Sequence, residues 1–133
     1  MWLNRFRKNA VPLTGAPAVR RLKTYSAASG FVYQYWYEGH RPLPGDGGVE
    51  FVFSAGADRK SYRQVSVRVE AAAVRAWEAA HARSLSGTER YALAKMALFT
   101  AFDERPTPAE MLSAPVYART ADIEAILERL GLE

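Results

Sequence analysis

The hydrophobic period of this chain changes once, near Glu70, and that change restricts the fold more than any other feature. Before it, apolar residues alternate. Phe31, Tyr33, Tyr35 and Tyr37 occupy every second position, as do Val49, Phe51 and Phe53, and then Val65, Val67 and Val69. Side chains on a strand point to opposite faces in turn, so each set lines one face of a sheet. After Glu70 the apolar positions recur at helical spacing. Strands gathered first and helices afterwards, rather than interleaved, predict an α+β domain.

Four strand candidates precede the change, at residues 20–25, 31–38, 49–55 and 61–69. Small residues (Ser26, Ala27, Ala28, Ser29, Gly30) separate the first two, and Gly56, Ala57, Asp58, Arg59 and Lys60 separate the last two. Short connections favour an antiparallel meander. The prediction is a sheet of three to five strands over residues 19–69, covered on one face by about three helices. Phe51, Phe53 and the Val65 set line the covered face, joined by Tyr33 and its neighbours at period two. Residues 39–48 are rich in glycine and proline and read as a loop.

The helices are expected at residues 71–84, 87–104 and 121–130. Ser86-Gly87-Thr88-Glu89 is a capping box: Ser accepts from the amide three residues on and Glu returns to the cap amide. Pro106 stops the helix that it starts. Thr107-Pro108-Ala109-Glu110 repeats the signal for a short turn around Met111. Ile123, Ile126, Leu127 and Leu130 make one stripe on the last helix, with Gly131 after it. Residues 113–119 read as a connection, longer than the turn of a helix-turn-helix, and the last helix is acidic where a DNA reader is basic. The middle helix is apolar around nearly its whole circumference, which predicts burial between sheet and helices or between two subunits. Lys95 lies in its middle and must snorkel outward or find a partner.

Charge is unevenly distributed. Residues 1–37 hold six basic side chains (Arg5, Arg7, Lys8, Arg20, Arg21 and Lys23) and no acid, whereas the remainder is slightly acidic. A basic segment of this kind attracts phosphates or an acidic partner. Residues 1–18 are broken by Pro12, Gly15 and Pro17 and read as an extended arm; residues 19–133 form a single domain of a size that encloses a core. One amphipathic turn of Trp2, Leu3 and Phe6 is too short to stand alone and is expected to dock on the body of the protein. The arm lacks the apolar stretch of a signal peptide, and no apolar run is long enough for a membrane span, so the expected location is cytoplasmic. The absence of cysteine excludes disulfides, thiolate metal sites and a cysteine nucleophile.

Function is less legible. Turned away from the helices, the sequence places Arg21, Lys23, Tyr25, Gln34, Trp36, Tyr62, Gln64 and Arg68 on an aromatic and basic sheet face. The first expectation is a non-enzymatic binding or interaction module using this face and the arm, its partner being an unidentified protein or a second copy of the chain. The candidate contact residues are Arg21, Lys23, Tyr25, Trp36, Tyr62 and Arg68. The alternative is single-stranded nucleic acid: aromatic planes stack bases at roughly 1–3 kcal/mol each while cations track phosphates. The glycine-spaced aromatic signature of an RRM is missing. A second alternative is a small-molecule binder or enzyme with a pocket near His40 and the 39–48 loop, which requires a concave site. No catalytic group, metal site or cofactor is predicted: His40 and His81 lack companions at ligand spacing, and Gly45-Asp46-Gly47-Gly48 lacks the lysine and following helix of a phosphate loop.

Overall fold

A computed structural model describes residues 11–132. They form strands β1 (Lys23–Ser26), β2 (Val32–Pro42), β3 (Val49–Gly56), β4 (Arg63–Val69) and β5 (Val116–Ala118). The helices are α1 (Ala71–His81), α2 (Gly87–Glu104), α3 (Pro108–Met111) and α4 (Thr120–Arg129). The fold is α+β, with one five-stranded sheet in the order β1-β2-β3-β4-β5, curled into half a barrel and followed by its helices. The amphipathic turn expected around Trp2, Leu3 and Phe6 lies outside the described residues.

The meander is antiparallel from β1 to β4, and β5 then joins β4 in parallel. The sheet is therefore mixed, and the stretch read as a plain connection supplies its fifth strand. Three helices intervene between β4 and β5, and such a crossover returns the chain in the same direction. Val116 and Ala118 are buried beside Val67 and Val69, while the intervening Tyr117 faces away. Three residues are too few to display a period.

β2 also runs further than its glycines suggest. A bulge between Tyr37 and Gly39 adds one residue, after which pairing with β3 resumes to Pro42. Gly39 has φ +128°, and a Cβ there would lie 2.7 Å from the Thr14 carbonyl oxygen. Only glycine meets both demands. The extra residue reverses the faces beyond it: His40 aligns with Phe51 on the helix-covered side, and Arg41 aligns with Glu50 on the other.

The core forms where the period predicts. Tyr33, Tyr35, Phe51, Phe53, Val65, Val67 and Val69 are buried together with Trp77, Leu93, Leu98, Phe102, Ile123 and Leu127. The Tyr33 ring stacks on Phe102, centroids 4.3 Å apart and planes 9° from parallel. Each large side chain taken fully out of water contributes roughly 1.5–3 kcal/mol. α2 buries Leu93, Ala94, Ala97, Leu98, Ala101 and Phe102, while Tyr91, Met96 and Phe99 on its flank are half-buried. Its start is capped by both bonds of the box, Glu89 N to Ser86 Oγ at 3.1 Å and Ser86 N to Glu89 Oε1 at 2.9 Å.

Candidate functional site

The six candidate contact residues do not share a surface. Register places Lys23 opposite Tyr35 and Tyr25 opposite Tyr33, so both belong to the helix-covered side. Tyr25 stacks on Phe99 of α2 at 4.3 Å, and its hydroxyl donates to Asp103 at 2.8 Å. Burial, then this bond, pushes its pKa above the usual tyrosine value. Arg21 precedes Lys23 by two residues along an extended segment and opens toward the same side. Trp36, Tyr62 and Arg68 remain on the opposite face, with the Trp36 and Tyr62 rings 4.8 Å apart.

That opposite face is more acidic than its aromatics suggest. Glu38 pairs with Arg20 at 2.9 Å and accepts from Ser54 at 2.6 Å. Glu50 accepts from Arg41 at 2.7 Å and from the Ser66 hydroxyl. Burial alone would raise the Glu50 pKa, but the bonds from Ser66 and Arg41 outweigh it and hold the carboxyl below its usual range. Arg68 donates to Ser66 Oγ at 3.2 Å and lies over the Tyr117 ring, 5.7 Å from its centroid. Gln34, read as outward-facing, is buried. Most cations here are thus already engaged with groups of the sheet itself.

A concave site lies on the other side. Thr14 and His40 exchange both backbone bonds, at 2.9 and 2.8 Å, which ties the arm to the edge of β2. From there to β1 the odd-numbered residues Gly15, Pro17, Val19, Arg21 and Lys23 line one wall of a pocket of about 570 Å³. Tyr35, Tyr37, His40 and Phe51 from the sheet form another side, and Thr88, Arg90 and Tyr91 from the first turns of α2 complete it. Val19, 70% exposed, leaves apolar surface at the mouth.

The aromatic groups form a continuous surface. Tyr37 and Tyr91 meet edge to face at 4.8 Å, and the Tyr37 hydroxyl shares a hydrogen bond with His40 Nδ1 at 3.0 Å. Burial, reinforced by neighbouring Tyr91, pushes the Tyr37 pKa up to about 12. Burial raises Tyr91 as well, and burial followed by Tyr91 raises Tyr35. These phenols therefore stay neutral at physiological pH. The lining holds Arg21, Lys23 and Arg90 but no carboxylate. Such a site offers apolar planes, hydroxyl and imidazole hydrogen bonds and positive potential.

Sequence reasoning placed a pocket near His40 and the 39–48 loop; His40 lines this one, residues 41–48 do not, and the contribution of α2 was missed. Arg90 and Tyr91 follow directly on the capping box, which fixes where α2 begins but carries no information on what its first turns face. His81, the other histidine, stacks on Trp77 at 4.4 Å and reaches Glu124 at 3.3 Å, joining α1 to α4. Among the described residues no three His, Asp or Glu side chains gather to hold a metal ion, and no helix is long and apolar enough to cross a membrane. No family model, curated protein or solved structure matches this chain.

Proposed function

We propose that this protein is a non-enzymatic binding module whose recognition element is the pocket between the arm, β2 and α2, and that its ligand is a small, flat, largely apolar molecule. One observation carries the reading: a concavity of about 570 Å³ walled by Tyr35, Tyr37, Phe51 and Tyr91. Its size falls within the range of small-molecule sites, and apolar walls with a few convergent polar groups are their usual composition. The sheet face of Trp36, Tyr62 and Arg68 supports a contact surface for protein or single-stranded nucleic acid less well. Glu38 and Glu50 lie on it and oppose phosphates.

The test is thermal unfolding during titration with planar aromatic compounds. A ligand at about a hundred times its Kd stabilises by roughly 2.7 kcal/mol, a readily measured rise in Tm. Tyr91→Ala removes an aromatic wall and is expected to weaken binding by up to about tenfold. An undiminished response in this variant would move the ligand out of the pocket, and no response to any planar compound would end the reading. Salt-sensitive quenching by single-stranded DNA, lost in Tyr62→Ala but kept in Tyr91→Ala, would transfer the function to the opposite sheet face.

A further inference from the structure

His40 stands in the pocket wall with one of its two ring nitrogens committed. The bulge at Gly39 carries it to the helix-covered side, where its amide donates to the Thr14 carbonyl at 2.8 Å and its own carbonyl accepts from Thr14 at 2.9 Å. Gly15 lies against the Cε1–Nδ1 edge of the ring: a Cβ there would come within 2.7 and 2.8 Å of those atoms but stay 3.9 Å from Nε2. Nδ1 meets the Tyr37 hydroxyl at 3.0 Å. Nε2, the other polar atom of the ring, has no hydrogen-bond partner among the described residues.

The neutral Tyr37 phenol has one proton to place and, among the described residues, one partner to receive it. Donation to Nδ1 satisfies both groups and leaves the hydrogen of a neutral imidazole on Nε2. The reverse arrangement strands the phenol proton in a half-buried wall, at the cost of an unmade hydrogen bond.

The rest of the lining has the same polarity. Arg21, Lys23 and Arg90 donate and cannot accept, and no Asp, Glu, Asn or Gln side chain lines the pocket. Arg90 is engaged by Glu78 at 3.4 Å and by the Leu85 carbonyl at 3.3 Å. Arg21 and Lys23 are exposed and keep their hydration, whereas His40 is half-buried between Gly15 and the Phe51 ring, whose centroid is 5.7 Å away. A ring entering the aromatic walls therefore meets the imidazole N–H as its donor.

We infer that the ligand is an aromatic carbonyl compound, a planar ring bearing a ketone- or quinone-type oxygen, and that this oxygen accepts a hydrogen bond from His40 Nε2 while the ring lies against Phe51 and Tyr91. The inference rests on the pocket reading above and adds the polarity of the ligand and the residue that reads it.

Two probes of one shape decide the matter: 2-acetylnaphthalene and 2-isopropenylnaphthalene, which differ by a carbonyl oxygen against a methylene group. Both are titrated into the full chain at pH 8, above the usual range of imidazole titration. His40→Phe keeps a ring and removes the donor, and it is expected to lower the ratio of ketone to alkene affinity about fivefold, the usual worth of one net hydrogen bond. Long-range proton–nitrogen NMR spectra of the parent protein, in which His81 is the one other histidine, should place the His40 hydrogen on Nε2. The ketone should move that N–H signal downfield by more than the alkene does. An unchanged affinity ratio in His40→Phe, or a hydrogen found on Nδ1, overturns the His40 seat and leaves the pocket standing. A ratio that falls in Tyr37→Phe but holds in His40→Phe assigns the bond to the phenol and overturns it equally. Failure of both probes to bind ends both readings.

Discussion

Gly15 has φ +80°, and a Cβ added to it would lie 2.7 Å from His40 Cε1 and 2.8 Å from Nδ1. An L-residue in the left-handed region costs roughly 1–2 kcal/mol before any contact is considered, and here the imidazole must also give way. Gly15→Ala should therefore loosen the arm rather than the core. Amide exchange at Thr14 and His40, which bond each other, should accelerate while Phe53 and Leu98 remain protected. Unchanged exchange at Thr14 would mean that the arm is held elsewhere. At this scale the sequence was a partial guide. Alternation assigned Tyr33, Tyr35, Phe51 and Phe53 to the core correctly, because each belongs to a run long enough to define its own faces. It misassigned Lys23 and Tyr25. β1 is four residues long, and its faces are fixed by pairing with β2 rather than by its own pattern. Gly39 is the complementary case, since one bulged residue carried His40 to the pocket side against simple alternation.

Among the elements, those with chemical punctuation were read most accurately. α2 spans Gly87–Glu104 because Ser86 and Glu89 close a box at its start and Arg105-Pro106 ends it, and both signals are local. Ser86→Ala should cost about 1 kcal/mol, leaving the amide of Glu89 without its acceptor and releasing the first turn. That turn bears Arg90 and Tyr91, so the substitution should also weaken pocket ligands, whereas the matching change Thr107→Ala at the start of α3 should not. Chemical denaturation and ligand titration of the two variants would separate the effects, and equal loss of affinity in both would contradict this role for the α2 cap. β5 and the end of β2 lacked such signals. β5 exists because Val116 and Ala118 find Val67 and Val69 after a crossover of three helices, a tertiary cause that three residues cannot announce. The continuation of β2 was hidden by Gly39 and Pro42, residues that end most strands but here serve a bulge and a strand terminus.

At the scale of the whole molecule, the aromatic sheet has a consequence for stability at high pH. Tyr25, Tyr33, Tyr35, Tyr37 and Tyr91 all have pKa values raised above 10.0, with burial the largest cause in each, and Tyr37 reaches about 12. A group raised in the folded state keeps its proton after the unfolded chain has lost it. Between the unfolded and folded values the native state thus binds more protons, and stability falls as pH rises. The tyrosine contribution is fully present below pH 10 and is lost progressively toward 12. Lys95 acts in the opposite direction, its lowered value favouring the fold as pH approaches 10.5, but it is one group against five. The protein should therefore lose stability above pH 10, and ionisation of these five tyrosines should accompany unfolding rather than precede it. Tyr37→Phe should make the decline shallower, since one coupled proton is removed, although loss of the hydrogen bond to His40 lowers stability at neutral pH. Denaturation midpoints measured across the alkaline range for both proteins give the comparison. Ionisation of all five while the fold persists would show that these hydroxyls reach water without unfolding, and that the pocket walls built by Tyr35, Tyr37 and Tyr91 are open rather than packed.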